Sequence, residues 1–157
     1  MEKIILNETL ALTFPDGFRK LDEAELSQMK TVQSGSGICL RNDDQHIIVS
    51  LGYRRAGLLS AFFSDKDLIK SAQGRIAAVM RRYSYQLGAY DSCRISDKTA
   101  HFFTYGYVAQ NIRMAAECCA IREAKTIYYL HFYVRESSRD TGFSLWRGIL
   151  ANAQWKR

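Results

Sequence analysis

Residues 85–135 read YQLGAYDSCRISDKTAHFFTYGYVAQNIRMAAECCAIREAKTIYYLHFYVR, and this run decides the fold. It is rich in Tyr, Phe, Ile and Val and poor in helix-favouring runs, which argues for strands. It divides into segments at 85–95, 99–109, 111–123 and 126–135. Compact turns at Ser96-Asp97-Lys98 and Glu123-Ala124-Lys125 suit hairpins. Neighbours joined so tightly pair antiparallel, because parallel strands need long crossovers.

Upstream, Asn42-Asp43-Asp44-Gln45 separates strands near 37–41 and 46–54. In the second of these, Ile47, Val49, Leu51 and Tyr53 fall on one face, the alternation of a hairpin strand. Residues 3–6 and 9–14 are two shorter extended segments, closed by the turn Pro15-Asp16-Gly17. A short helix runs from Asp22 to about Met29 with Glu25 completing a capping box, and Ser34-Gly35-Ser36-Gly37 is a loop.

The clearest helix spans about Asp65 to Tyr83, with Ser64 as N-cap and Asp67 three residues on. Leu68, Ala72, Ile76, Val79, Met80 and Tyr83 form its apolar stripe. A last helix covers about 141–154, with Phe143, Trp146, Ile149, Leu150 and Ala153 on one face. Trp155 projects from the other side, to pack after the helix frays or to stand exposed. The sum is an α+β domain over residues 1–157, an antiparallel sheet of about six strands whose apolar side is roofed by the 65–83 and C-terminal helices.

Composition narrows the function classes. The 157 residues suit one core, with 47% hydrophobic and 24% charged residues and a single proline, Pro15. A net charge of +6 favours anionic partners such as nucleic acid, an acidic protein or a membrane surface. Its Arg54-Arg55, Arg81-Arg82 and Lys156-Arg157 doublets are dispersed, which resembles a solvated surface more than a groove. Cys39, Cys93, Cys118 and Cys119 contain no CxxC pair, so free thiols in a reducing cytosol are expected, and no metal. Short, interrupted apolar runs at the N-terminus differ from a signal peptide, no span reaches membrane length, and a cytoplasmic location follows as the expectation.

Catalytic constellations are missing from the sequence. No serine lies in G-x-S-x-G, and Gly52 and Gly57 bracket Tyr53-Arg54-Arg55-Ala56 without a phosphate-binding pattern. No cofactor is implied. Two residues leave a small enzyme open as an alternative: Glu117, a carboxylate in mid-strand, and His131. Arg113 lies four residues before Glu117 on the same strand face, the geometry of a structural ion pair.

The aromatic rows are the better binding candidates. Phe103, Tyr105 and Tyr107 share a face of one strand, and Tyr129, His131 and Tyr133 share a face of another. Tyrosine joins an apolar body to a polar tip, which suits half-wet surfaces, although Tyr at a core margin gives the same pattern. Such rows beside arginine also stack nucleobases in some domains, but no RNA-recognition signature accompanies them.

Leu10-Ala11-Leu12-Thr13-Phe14-Pro15-Asp16-Gly17-Phe18 followed by a capped helix resembles the opening of PsbP-like proteins. The strand Tyr128-Tyr129-Leu130-His131-Phe132 and a terminal helix carrying Phe143 and Trp146 resemble their ending. That fold family includes an extrinsic photosystem protein, Ran-binding Mog-type proteins and bacterial DcrB-type proteins, and some bacterial relatives are chaperones for secreted effectors. The resemblance implies an antiparallel sheet flanked by helices and a binding or adaptor role. The first expectation is therefore a protein-binding adaptor using Tyr105, Tyr107, Tyr129 and Tyr133 with Arg113 and Glu117. The second is nucleic-acid binding through the basic, aromatic surface.

Overall fold

In the computed structural model, which describes residues 1–28 and 36–156, the chain forms two antiparallel sheets and three α-helices. The small sheet has the order β1-β2-β10, from Glu2–Leu6, Leu10–Phe14 and Gln154–Trp155. The large sheet has the order β3-β4-β5-β9-β8-β7-β6. Its strands are β3 (Arg19–Lys20), β4 (Ser36–Asn42), β5 (Ile47–Arg55), β6 (Gln86–Ile95), β7 (Lys98–Ala109), β8 (Ile112–Glu123) and β9 (Thr126–Arg135). All pair antiparallel. The six long strands match the segments marked out by composition, turns and, in β5, alternation, and the two-residue β3 adds a seventh.

Local chemistry sets the boundaries. Gly17 adopts φ 104° in the turn after Pro15, a conformation that L side chains avoid. Asp22 accepts from the Glu25 backbone and starts α1 (Glu23–Gln28). Met29, Ser34 and Gly35 lie outside the described residues, while Ser36 and Gly37 open β4 rather than belonging to a loop. Ser64 caps α2 (Asp65–Met80) through the full capping box with Asp67. Residues Arg81–Tyr83 continue as a 3-10 turn. Val79, placed on the apolar stripe by its spacing, is 53% exposed, whereas Ile69 is buried.

The two long helices sit on opposite faces of the large sheet, not on one side as the sequence suggested. The physical reason is that β8 and β9 are apolar on both faces. Ile127 and Tyr129 pack with Leu68, Ile69, Ala72 and Ile76 of α2. Tyr128, Leu130, Phe132 and Val134 pack with Trp146, Ile149 and Leu150 of α3 (Arg139–Ala151), together with the small sheet. Cys118 and Cys119 accordingly fall into different clusters. Trp155 packs after α3 ends: it donates from Nε1 to the Ile95 carbonyl and meets Tyr128 edge-on.

Candidate functional site

The expected aromatic surface assembles because β8 places the small side chains Ala116, Cys118 and Ala120 between the two rows. Ala116 stands directly opposite both Tyr105 of β7 and Tyr133 of β9. The two tyrosines therefore meet across it, and their hydroxyls interact. Phe103, Tyr105 and Tyr107 stack along β7 at centroid spacings of 5.6 and 6.0 Å, and Tyr107 meets Tyr133 edge-on. Burial raises all three hydroxyl pKa values, that of Tyr107 to about 12.

This face is not open. Helix α2 roofs it, burying Tyr105 and Tyr129 and leaving Tyr107 and Tyr133 half-buried. Tyr129 reaches the rim, where Arg54 donates to its hydroxyl at 3.1 Å and Arg75 lies 5.8 Å from its ring centroid. His131 is buried beside Tyr133, and its Nδ1 has no hydrogen-bond partner among the described residues. Burial first, and the Arg75 charge second, depress its pKa to about 4.

Glu117 occupies the opposite face and does not pair with Arg113. It accepts from Trp146 Nε1 at 2.8 Å and forms a close ion pair with Arg147, both supplied by α3. Arg147 also covers the Phe102 ring at 4.3 Å. The same guanidinium adjoins Cys93, whose pKa falls to about 7, chiefly through a hydrogen bond with Cys119 and then through Arg147. The carboxylate is thus fixed among partners. Arg113, on the same strand face nearer its end, is exposed.

Two surface features escaped the sequence reading. The first is a ledge between β5 and α2. Its 3-10 turn, Leu58–Phe62, and the following Phe63 expose four large apolar side chains: Leu58 by 96%, Leu59 by 71%, Phe62 by 83% and Phe63 by 51%. Both ends are tied down. Ala56 N–H donates to the Lys125 carbonyl at 2.8 Å, and Arg122 donates to the Phe63 carbonyl at 3.0 Å. Arg54, Arg55, Lys66 and Lys125 are exposed on the flanking segments. The signal lay in the doublets Leu58-Leu59 and Phe62-Phe63, which match neither the alternation of β5 nor the stripe of α2.

The second is a pair of clefts flanking β6. A cleft of about 270 Å³ on the α3 side is lined by Gln86, Gly88, Thr104, Arg113, Arg139 and Phe143. One of about 360 Å³ on the α2 side is lined by Lys66, Ile69, Lys70, Tyr90, Ser92 and His101. A bulge between Leu87 and Tyr90 shapes the strand here, and Ala89 N–H turns inward to Thr104 Oγ1 at 3.1 Å. A Cβ on Gly88 would fall 2.4 Å from that oxygen, so the close approach requires glycine. Among the described residues no cluster of His, Cys, Asp and Glu suits a metal, and no helix is long and apolar enough to cross a membrane.

This arrangement of sheets and helices is shared with solved structures. The cyanobacterial PsbP, CyanoP, of Synechocystis sp. PCC 6803 superposes with a TM-score of 0.71 at 12% identity, covering 99% of this chain and 92% of that one. The Ran-binding protein Mog1p of Saccharomyces cerevisiae gives 0.59 at 12% identity, over 98% and 94% of the two chains. LpqN of Mycobacterium tuberculosis, involved in cell envelope biogenesis, gives 0.58 at 13%, over 94% and 83%. No protein-family model and no curated protein matches the sequence. The fold is the PsbP-like fold, in agreement with the resemblance read from the two ends of the chain.

Proposed function

We propose that the protein is a non-catalytic binding or adaptor module that engages a protein partner through the Leu58–Phe63 ledge. The observation that carries this reading is the exposure of four large apolar side chains on one anchored segment. A contiguous apolar patch rimmed by polar residues is characteristic of an interaction site. Its basic rim favours a partner with an apolar contact and acidic neighbours. The fold lends support, since Mog1p is a Ran-binding protein.

The other readings have less behind them. Stacking of nucleobases on the tyrosine rows needs exposed rings, and Tyr105 and Tyr129 are buried. Neither Glu117 nor His131 lines the two clefts beside β6. A cytoplasmic location belongs to the same proposal, supported by four unbridged cysteines.

A photocrosslinking amino acid at Leu59 tests the reading in cells. The expected result is a protease-sensitive adduct that falls about tenfold when Leu58→Ser and Phe62→Ser are combined, a difference of about 1.4 kcal/mol in binding. Melting should stay within about 0.5 kcal/mol of the parent, because these side chains are exposed. A nuclease-sensitive adduct, or turnover in a substrate screen with no adduct at Leu59, would overturn it.

A further inference from the structure

We infer that the outer edge of β6 is a second docking surface, which takes an extended acidic segment of a partner protein as an added strand. Among the described residues β6 ends the sheet, and no strand pairs with its outer side. Residues 86–92 are exposed on both faces. This is a long, available row of backbone donors and acceptors, the template for strand addition.

Register identifies the groups on offer. The Ser96-Asp97 turn closes at the pair Ile95↔Lys98, and alternate pairs from there exchange ladder bonds. The backbones of Ile95, Cys93 and Asp91 therefore face β7, while those of Arg94, Ser92 and Tyr90 face outward. In agreement, the Ser92 N–H is not spent on β7 but is held by its neighbour's carboxylate, Asp91 Oδ1, at 2.8 Å. A neighbouring strand would take over that donor.

The clefts supply selectivity. They lie on opposite faces of β6, one beside 86–88 and the other beside 90–92. An added strand points successive side chains to opposite faces, so two residues about three positions apart, roughly 10 Å along the strand, enter the two clefts. The α2-side cleft holds Lys66 and Lys70 against Asp91, and the α3-side cleft holds Arg113 and Arg139 against Glu136. The Glu136–Arg139 pair is long, at 3.8 Å. Each cleft has an excess of positive charge, and the whole chain carries +6. Acidic side chains at that spacing match both. The bulge restricts the partner to one register, since the backbone at 88–89 is committed to Thr104.

The surface shares only Lys66 with the basic rim of the Leu58–Phe63 ledge. The probe is an end-blocked, fluorescently labelled peptide, TVTEVTEVT, whose glutamates are three positions apart. Fluorescence anisotropy should show saturable binding, with amide NMR shifts concentrated in residues 86–94. The lysine analogue TVTKVTKVT should bind at least about tenfold more weakly, and Lys66→Glu with Lys70→Glu should weaken the glutamate peptide about fivefold or more. Alternate N-methylation of the peptide should abolish binding, because it removes the ladder donors while keeping the side chains. The Phe62→Ser variant should retain peptide affinity, which separates this surface from the ledge. Equal affinity for the N-methylated or lysine peptide, shifts centred elsewhere, or absence of saturation would overturn the proposal.

Discussion

The two faces of the large sheet bury polar groups by different rules. On the α3 face Glu117 is 1% exposed and is matched by Trp146 and Arg147. On the α2 face His131 is 5% exposed, and among the described residues its Nδ1 has no hydrogen-bond partner. A carboxylate cannot lose water without replacement partners, since an uncompensated charge in an apolar interior costs several kcal/mol. An imidazole has the option of shedding its proton, and burial makes His131 take it. One face is therefore held by an ion pair, and the other tolerates a polar group only while it is neutral.

The most damaging way to break the first face is Arg147→Met. It keeps most of the apolar stem but removes the guanidinium that lies over Phe102, and it strands Glu117 without its counterion. A loss of roughly 3–5 kcal/mol is expected in urea titration, the range found when one partner of a buried pair is removed. Adding Glu117→Gln should restore more than half of that loss, because a neutral amide still accepts from Trp146. A single-mutant cost under about 1 kcal/mol would mean that the pair behaves like an exposed one.

The second face should respond to acid. His131 has a folded pKa of about 4, below the ordinary value of 6.5. Between those values the unfolded chain binds more protons, so stability rises with pH across that window. The contribution is complete above about pH 6.5 and is lost as pH falls through it to the folded pKa near 4. A 2.5-unit difference corresponds to about 3 kcal/mol. Denaturant midpoints measured from pH 7 to pH 4 should decline for the parent, and His131→Gln should flatten this part of the slope. An unchanged slope in the variant would show that the decline originates elsewhere.

The sequence carried the strands well because its turns and its alternation agree. The hairpins at Ser96-Asp97 and Ala124-Lys125, the capping box at Ser64 and the β4–β5 hairpin all rest on neighbours in the chain. What failed was information held between distant segments. The counterion of Glu117 is Arg147, thirty residues away on another element, whereas Arg113 was near in sequence and on the same face. The run Ile127–Phe132 is apolar at every position but His131, so no alternation could say that helices would cover both sides. That is also why the tyrosine rows, correctly placed on one face, were not foreseen as roofed. The ledge and the β6 clefts depend on what other elements leave uncovered, which local pattern does not encode.

The smallest effect separates a hydrogen bond to a charge from one between neutral groups. The Tyr105 and Tyr133 hydroxyls interact across Ala116 inside the α2 face, and both stay protonated there because burial disfavours the phenolate. Tyr105→Phe removes this hydroxyl contact and leaves the ring stack of β7 in place. The expected cost is about 1 kcal/mol, the net worth of a neutral hydrogen bond. Trp146→Phe, which removes a donor to the Glu117 carboxylate, should cost about 2 kcal/mol or more, since bonds to charged groups are worth more and some packing is lost with the indole. Measured together by urea denaturation, the pair reads the contrast between the faces directly. If Tyr105→Phe proved as costly as Trp146→Phe, the α2 face would owe its stability to polar links after all, and the division between a charged face and a neutral one would not hold.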